Sequence, residues 1–346
     1  MINVDKIYVE TLERLKSKVL PSESILLIPH DFPDPDSIGA ALGLQHLFGE
    51  LGVKKCDIAF AGFIGRAENR AMVRELGIEY LNLLEIDIES YDSVITVDTL
   101  PDNGNVSIKD ISIIDVAIDH HPPGELEEHP NTLYEIHTTV GATSTIITSF
   151  YMSSGIVPTS RVATALFYGI KTDTNDMARN CHDIDIICYK YLFDLIEHKI
   201  LSKIETPERD IEYFRLLHVA AHNLSIYDNI GYTHIGDVSV PDYAPEIADI
   251  YISMKDLEWM ICSAIFGNTL IFSLRSKSDQ RAGFIARKLA LTLGGSGGGH
   301  PTMAAGRIPI GEYTHDEIKR QFAAVLLEIF NTVDVEPVYI VDGNRE

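Results

Sequence analysis

The 346-residue sequence has few cysteines and no long hydrophobic run. None of the four cysteines (Cys56, Cys181, Cys188 and Cys262) forms a Cys-x-x-Cys pair, so neither a disulfide framework nor a structural zinc site is expected. No window holds about 18 uninterrupted apolar residues, and the amino-terminal stretch is charged and amphipathic. We therefore expect a cytoplasmic protein with no signal peptide and no membrane partner.

Basic residues are also scarce, because 28 Lys and Arg stand against 51 Asp and Glu, for a formal net charge of -23. Binding of long nucleic acid through its phosphates needs dense Lys and Arg, so the composition argues against it. A small phosphorylated substrate, or a short single-stranded oligonucleotide in a local basic pocket, stays compatible with this charge. The 45% hydrophobic content is that of an ordinary globular protein.

Strand-like and helix-like segments alternate in the first half of the chain, which predicts an α/β fold with a doubly wound parallel sheet. The predicted strands are residues 24–29, 56–62, 92–99 and 111–121, and the predicted helices are residues 37–51, 66–77, 141–155 and 161–174. A charged, helix-prone stretch begins near residue 190. We therefore predict a catalytic domain over 1–190, a linker helix over 191–210, and a smaller α/β domain over 211–346.

Acidic and imidazole side chains cluster where the predicted strands end. The clusters are His30, Asp34 and Asp36; Asp98; Asp119, His120 and His121; and Asp173 at a helix end. Ligands of open α/β sheets bind at the carboxyl ends of the strands, where these groups would meet. Carboxylates this close repel each other unless cations hold them. Carboxylate and imidazole ligands without thiolate suit Mn²⁺, Mg²⁺, Fe²⁺ or Co²⁺, and their number suits two ions.

Each cluster also has a structural explanation when it is taken alone. Asp36 is placed to cap the helix that starts near Ser37, and Asp98 with Thr99 is typical of a turn. The Asp-His-His triplet is compatible with a solvated loop. The four clusters together, each after an apolar run, are much harder to explain without a metal site.

A glycine-rich segment, "LGGSGGGHPTMAAG" at residues 293–306, is the second candidate for ligand binding. It lacks the Lys-Ser/Thr ending of an ATP-binding P-loop, and it does not fit a dinucleotide-binding turn. Glycines let backbone N–H groups approach an anion closely, although a flexible turn is the simpler alternative. His300 within the segment and Arg275 upstream favour a clamp on a nucleotide or distal phosphate.

These motifs resemble a known family. The stretches "HDFPDPDSIGA", "VDT", "DHHPP" and "YGIKTDT" resemble the four amino-terminal motifs of the DHH phosphoesterase superfamily. The segment "GGSGGGHPTMAAG" is similar to the Gly-Gly-Gly-His signature of the accessory DHHA1 domain, which separates this subgroup from the inorganic pyrophosphatases of the family. The branch it resembles most contains oligoribonucleases (nanoRNases) and 3'-phosphoadenosine-5'-phosphate (pAp) phosphatases, and is often called exopolyphosphatase-related.

The resemblance implies a role for each site residue. His30 and Asp34 would hold one metal ion, Asp36, His120 and Asp173 a second ion, and Asp98 would bridge both. His121 would face the scissile phosphate, and Asp119 would orient the histidine pair, so Asp98, Asp119 and His121 are the expected catalytic residues. The expected substrate contacts are Arg275, Gly298, Gly299, His300 and Arg307. The two ions would be Mn²⁺, with Mg²⁺ or Co²⁺ as alternatives.

The expected function is hydrolysis of phosphate esters in short oligonucleotides or pAp, through two-metal activation of water. Three alternatives stay open: a phosphoanhydride hydrolase acting on polyphosphate or pyrophosphate, a phosphodiesterase of cyclic or linear dinucleotides, and a non-catalytic nucleotide sensor. The active site is expected in the cleft between the two domains. A homodimer is compatible with the sequence.

Overall fold

The computed structural model describes residues 6–123, 129–278, 281–299 and 301–341. The chain divides into two compact units, residues 1–207 and 208–346, each of which is described by itself. The domain boundaries expected at residues 190 and 210 stay a prediction. None of the described helices combines the length and the apolar character needed to cross a membrane.

The first unit is built on a sheet of six parallel strands in the spatial order β3–β2–β1–β4–β5–β6. The strands are β1 (Ser24–Pro29), β2 (Lys55–Phe60), β3 (Leu81–Asn82), β4 (Ser93–Val97), β5 (Val116–Asp119) and β6 (Leu133–Ile136). The helices are α1 (Lys6–Val19), α2 (Pro35–Glu50), α3 (Ala67–Leu76), α4 (Thr143–Ser154), α5 (Ser160–Asp173), α6 (Asp183–Phe193) and α7 (His198–Glu205). The predicted parallel α/β sheet is confirmed.

Strand β1 is apolar and buried from Ile25 to Pro29 because both of its faces are covered. Ile25 and Leu27 pack into the main core with the helices. Leu26 and Ile28 belong to a second core on the other face, together with Leu83 from a short 3₁₀ turn. A buried central strand therefore ends at Pro29, directly before the polar residues of the first motif.

Helix α2 begins earlier than the sequence predicted. Asp34, and not Asp36, is the N-cap, because its Oδ1 accepts hydrogen bonds from the amides of Asp36 and Ser37 at 3.0 Å. Pro35 occupies the first turn, where a missing N–H costs nothing. Asp36 is thereby released from capping and lies, 1% exposed, inside the first turn of the helix.

Helices α2 and α5 approach each other closely at Gly169. A Cβ atom on Gly169 would lie 3.0 Å from both Cα and Oδ1 of Asp36. Asp173 follows one helical turn later, so it projects from the same side of α5 as Gly169. The glycine therefore lets Asp173 and Asp36 share one site.

The second unit contains a mixed seven-stranded sheet in the spatial order β11–β12–β10–β9–β8–β7–β13, in which only the β8–β9 pair is parallel among the described strands. Its strands are β7 (Ser225–Tyr227), β8 (Ile230–Asp237), β9 (Trp259–Phe266), β10 (Thr269–Ser276), β11 (Ser296–Gly299), β12 (Met303–Pro309) and β13 (Val338–Tyr339). Its helices are α8 (Ile211–Asn223), α9 (Tyr243–Tyr251), α10 (Ala282–Thr292) and α11 (His315–Phe330). This second α/β unit confirms the predicted fold class.

Part of the predicted glycine-rich loop forms a strand. Residues 296–299 pair antiparallel with β12 as the edge strand β11. Helix α10 packs directly on this strand, and the closest approach is between Gly283 and Gly299. A Cβ atom on Gly283 would lie 2.2 Å from the Gly299 carbonyl oxygen, so only glycine fits there. The glycines therefore serve helix–strand packing as well as access to the backbone.

Candidate metal centre

The polar clusters of the first unit meet at one edge of its sheet. Strands β1, β4 and β5 are adjacent and parallel, so their carboxyl ends lie side by side. His30 follows β1, Asp98 follows β4, and Asp119 is the last residue of β5, directly before His120 and His121. Asp34 and Asp36 come from the start of α2, and Asp173 comes from the end of α5.

The ligand atoms of these residues form three overlapping groups in which all atoms lie within 4.8 Å of one another. The groups are His30, Asp34 and Asp98; Asp36, His120 and Asp173; and Asp98, His120 and His121. Asp98 connects the first two groups, because its Oδ2 lies 3.9 Å from His30 Nε2 and its Oδ1 lies 3.7 Å from His120 Nε2. One carboxylate thus turns an oxygen toward each group.

Helix α4 fixes two of the buried carboxylates. The amides of Thr143 and Ser144, in the first turn of α4, donate to the two oxygens of Asp36 at 2.7 and 2.8 Å. The Thr143 hydroxyl donates to Asp98 Oδ1 at 2.8 Å. These two residues were not predicted as part of the site. The run of hydroxyl side chains in "GATST", directly before a buried helix, is the signal that could have revealed them.

Backbone and carboxylate acceptors orient the three histidines. Nδ1 of His30 lies 2.9 Å from the Asp31 carbonyl oxygen, and Nδ1 of His120 lies 3.4 Å from the Val140 carbonyl oxygen. Both rings therefore turn Nε2 toward the carboxylates, as metal-binding histidines do. His121 instead places Nδ1 2.9 Å from Asp119 Oδ1, which also accepts from the amides of His120 and His121.

The concentrated negative charge shifts the acid–base behaviour of the cluster. Burial, followed by the nearby Asp36 and Asp34 carboxylates, raises the pKa of Asp98 well above its usual value. Burial and the Asp173 carboxylate raise the pKa of Asp36 to about 7. Burial alone would lower the pKa of His120, but the Asp173 and Asp36 carboxylates outweigh it and raise the value to about 9. Without a cation, the site must take up protons to reduce repulsion among its carboxylates.

The donor set fits a divalent metal ion. His120 Nε2 is buried without a hydrogen-bond partner among the described residues, although Asp173 Oδ2 lies only 3.0 Å away. A buried nitrogen left in this way is costly unless something else binds it. Oxygen and imidazole donors without thiolate match Mn²⁺, Mg²⁺ or Co²⁺.

The predicted substrate residues of the second unit lie around β11. Arg275, on β10, pairs in register with Met303, next to the point where Gly299 pairs with Ala304. Its side chain is 7% exposed, and it donates through Nε to Asp249 and through Nη1 to Ser273 Oγ. Arg275 therefore also has a structural role that the sequence did not indicate.

The remaining predicted substrate residues differ in their surroundings. Gly298 faces open space, and Gly299 has a φ of 144°. Arg307 is exposed on β12 and donates to Ser296 Oγ at 3.3 Å. His300 lies outside the described residues.

Two protein families match the chain. The DHH family, N-terminal domain, matches residues 24–170, and the DHHA1 domain matches residues 231–330. The first match contains His30, Asp34, Asp36, Asp98 and the Asp119–His121 triplet, and the second contains Arg275 and β11. Asp173 lies just beyond the end of the first match.

Three relatives illustrate the range of the similarity. The uncharacterized protein MJ1633 of Methanocaldococcus jannaschii is 35% identical over 93% of this chain and 65% of its own length. The cyclic-di-AMP phosphodiesterase GdpP of Bacillus subtilis is 24% identical over 84% of this chain and 46% of its own length. A probable manganese-dependent inorganic pyrophosphatase of Clostridium acetobutylicum is 31% identical over 43% of this chain and 47% of its own length. The chain thus spans two thirds or less of these relatives.

A solved structure has a similar fold. An exopolyphosphatase-related protein from Bacteroides fragilis superimposes with a TM-score of 0.70 at 16% identity, covering 95% of this chain and 98% of that one. At this identity the likeness concerns the fold alone. With both family matches in their expected order, the chain belongs to the DHH family and carries a DHHA1 domain after its DHH N-terminal domain.

Proposed function

We propose that the chain is a divalent-metal-dependent phosphoesterase that hydrolyses phosphate esters of short oligonucleotides or pAp. The observation that carries this proposal is the placement of Asp98, which offers one oxygen to the His30 group and the other to the His120 group. A carboxylate shared between two ions is the usual basis of two-metal phosphoryl chemistry.

The residues divide the work as follows. His30 and Asp34 would hold one ion, Asp36, His120 and Asp173 the other, and Asp98 both. The ions, with Mn²⁺ the first choice, would supply activation of water and neutralisation of charge on the phosphate. His121 is half-exposed, and Asp119 holds its Nδ1, which leaves Nε2 to donate a proton to the leaving oxygen. Arg275, Gly298, Gly299, His300 and Arg307 would contact the rest of the substrate.

The fraction of this chain that each relative matches favours a nucleotide ester over pyrophosphate as the substrate. The probable pyrophosphatase matches 43% of this chain, whereas GdpP matches 84%, which is more than the first unit alone contains. A substrate larger than pyrophosphate gives the second unit something to bind. The same alignment supports a second candidate function, hydrolysis of a cyclic or linear dinucleotide.

A substrate panel with a matched knock-out tests the proposal. The purified chain would be assayed with Mn²⁺, Mg²⁺ and Co²⁺ on pAp, di- to pentaribonucleotides, cyclic dinucleotides, pyrophosphate and polyphosphate, beside Asp98→Asn, which removes the shared charge. We expect ester hydrolysis by the wild type, and less than about 1% of that activity with reduced metal content in Asp98→Asn. Hydrolysis of anhydrides alone, or full activity in Asp98→Asn, would contradict it.

A further inference from the structure

Two exposed phenylalanine rings lie on neighbouring loops of the first unit, and one of these loops carries candidate metal ligands. Phe32 follows β1, and Phe63 follows the neighbouring strand β2. Their side chains are 58% and 41% exposed, and their ring centroids lie 5.2 Å apart with an interplanar angle of 80°. Phe32 lies between His30 and Asp34, two residues from each. Single exposed apolar residues are common, but an exposed aromatic pair that includes a residue between two candidate metal ligands is not explained by core packing.

The backbone at Phe32 and Gly62 has unusual features that allow this ring arrangement. Phe32 has a φ of 57°, which is rare for a bulky side chain. Its ring lies against the bare backbone of Gly62, where a Cβ atom would come within 2.8 Å of Phe32 Cε1. Strained backbone of this kind persists where the surrounding structure holds it, and it concentrates at ligand-binding sites.

Hydrogen bonds of the preceding residue hold the loop in place. Asp31 accepts from the Ala61 amide at 3.2 Å and from the Ser107 hydroxyl at 2.6 Å, and its own amide donates to the Asn105 carbonyl at 2.7 Å. These bonds tie the loop after β1 to the loops that follow β2 and β4. The backbone beside Phe32 is therefore held in place by three hydrogen bonds, which lowers the entropy cost of ordering this loop around a ligand.

We propose that Phe32 and Phe63 form a stacking platform for a nucleobase of the substrate whose phosphate lies at the metal centre. This inference rests on the proposed function and narrows it to nucleotides over inorganic phosphates. Edge-to-face rings leave a free aromatic face, and stacking on such a face tolerates every base because all bases have a π surface. Phenylalanine has no hydrogen-bonding group, so the platform distinguishes a base from no base and does not distinguish one base from another.

Equilibrium binding of two ligands that differ only in the base tests the platform. Adenosine 5'-monophosphate and ribose 5-phosphate would be titrated into the Mn²⁺-loaded protein. The wild type should bind the nucleotide about 5- to 150-fold more tightly, the range that stacking of one base supplies. Two variants should each reduce this affinity ratio toward one: Phe63→Leu, and Phe32→Asn, in which asparagine tolerates the positive φ of this position. Phe32→Tyr keeps an aromatic ring and should retain the ratio.

The controls separate stacking from a general disturbance. Phe214→Asn removes a ring of similar exposure (59%) on α8 and should leave the ratio unchanged. Metal content measured in Phe32→Asn shows whether His30 keeps its position, and Phe63→Leu tests the platform without touching that turn. A wild-type ratio near one, or a ratio preserved in both Phe32→Asn and Phe63→Leu, would overturn the inference. If both variants lose the preference for the nucleotide but the wild type hydrolyses no ester, the proposed function is rejected and the base-stacking platform is supported.

Discussion

Asp98 combines three features that rarely occur together in one residue. It is 3% exposed, it has a φ of 61°, and its carboxylate lies among other carboxylates. Its amide donates to the Ile118 carbonyl at 2.8 Å, so the chain turns sharply after β4 while still bound to β5. Aspartate tolerates the left-handed region better than most residues. The positive φ of Asp98 therefore costs little, and it directs the carboxylate toward the other site residues.

Asp119 should act on the reaction through His121. Replacement of Asp119 by Asn keeps an oxygen for the backbone amides but removes the charge that holds His121 Nδ1. We expect kcat to fall about 10- to 100-fold while KM and metal content change little. The loss in His121→Ala should be only slightly increased by adding Asp119→Asn, because coupled residues are non-additive. Steady-state kinetics of the three variants measure this, and fully additive losses would indicate separate roles.

His234 should make the second unit sensitive to acid. It is 7% exposed on β8, and burial, followed by the charge of Lys319, lowers its pKa from 6.5 to about 4. The unfolded chain then binds more protons than the folded chain between these values, so stability is lost as pH falls from about 6.5 to 4. The full loss is roughly 3 kcal/mol.

The single tryptophan provides the measurement for this prediction. Trp259 lies in β9, 8% exposed, beside Phe330, so its fluorescence reports unfolding of the second unit. Urea titrations at several pH values should show the loss in the wild type and a flatter dependence in His234→Gln. His218→Gln, on the exposed side of α8, is the matched control. An unchanged slope in His234→Gln would assign the acid sensitivity to other groups.

At the scale of elements, the contact between α2 and α5 should control the metal centre. Gly169→Ala would place a methyl group 2.3 Å from Ser144 Oγ and 3.0 Å from Asp36, both of which lie at the metal centre. We expect a loss of about 1–3 kcal/mol in unfolding free energy, together with reduced metal content. Chemical denaturation and metal analysis of the purified variant measure both quantities.

Gly49 offers a matched control for this substitution. It lies in α2, and a Cβ atom there would meet nothing within 4 Å. Gly49→Ala should therefore be neutral or stabilising by up to about 1 kcal/mol through helix propensity, with unchanged metal content. Equal effects of the two substitutions would show that helix propensity, and not the close approach of Gly169 to Ser144 and Asp36, determines the outcome.

The sequence predicted elements well where a single local signal determines them. An apolar run followed by polar residues identified the ends of β1, β4 and β5, because parallel strands buried on both faces need such runs. The sequence-based prediction of the N-cap of α2 was wrong. Asp34 and Asp36 are equally good capping residues, and the contacts of Asp36 with α4 decide between them. Residues 293–306 were predicted as a loop or turn because glycine disfavours strands. Residues 296–299 nevertheless form a strand, because they pair with β12 and pack against α10.

Residue contacts across the chain were the least predictable from the sequence. The ion pair between Arg275 on β10 and Asp249 on α9 forms only when these two elements of the second unit pack together. The hydroxyl and amide donors of Thr143 likewise reach Asp98 and Asp36 only after folding. A local pattern such as the hydroxyl run at 143–145 can mark a residue as unusual, but it cannot identify a partner that is distant along the chain.

At the scale of the whole molecule, the charge should limit the length of a nucleic acid substrate. The net charge of -23 repels every additional phosphate that lies outside the site. We expect hydrolysis to be fastest on pAp or on substrates of about two to five nucleotides. At low salt a 24-mer should be cleaved roughly tenfold or more slowly, since fields of this kind change association rates by at least that factor.

Ionic strength distinguishes this repulsion from a steric limit on length. The Debye length falls from about 30 Å at 0.01 M salt to about 8 Å at 0.15 M, which screens phosphates outside the site but hardly affects those within it. End-labelled RNAs from dimer to 24-mer, assayed across this range, should therefore show a ratio of short to long rates that narrows as salt rises. A ratio that does not depend on salt would indicate that the shape of the site, and not its charge, excludes long strands. Processive degradation of the 24-mer, faster than that of the dimer, would show that the acidic surface does not control substrate length.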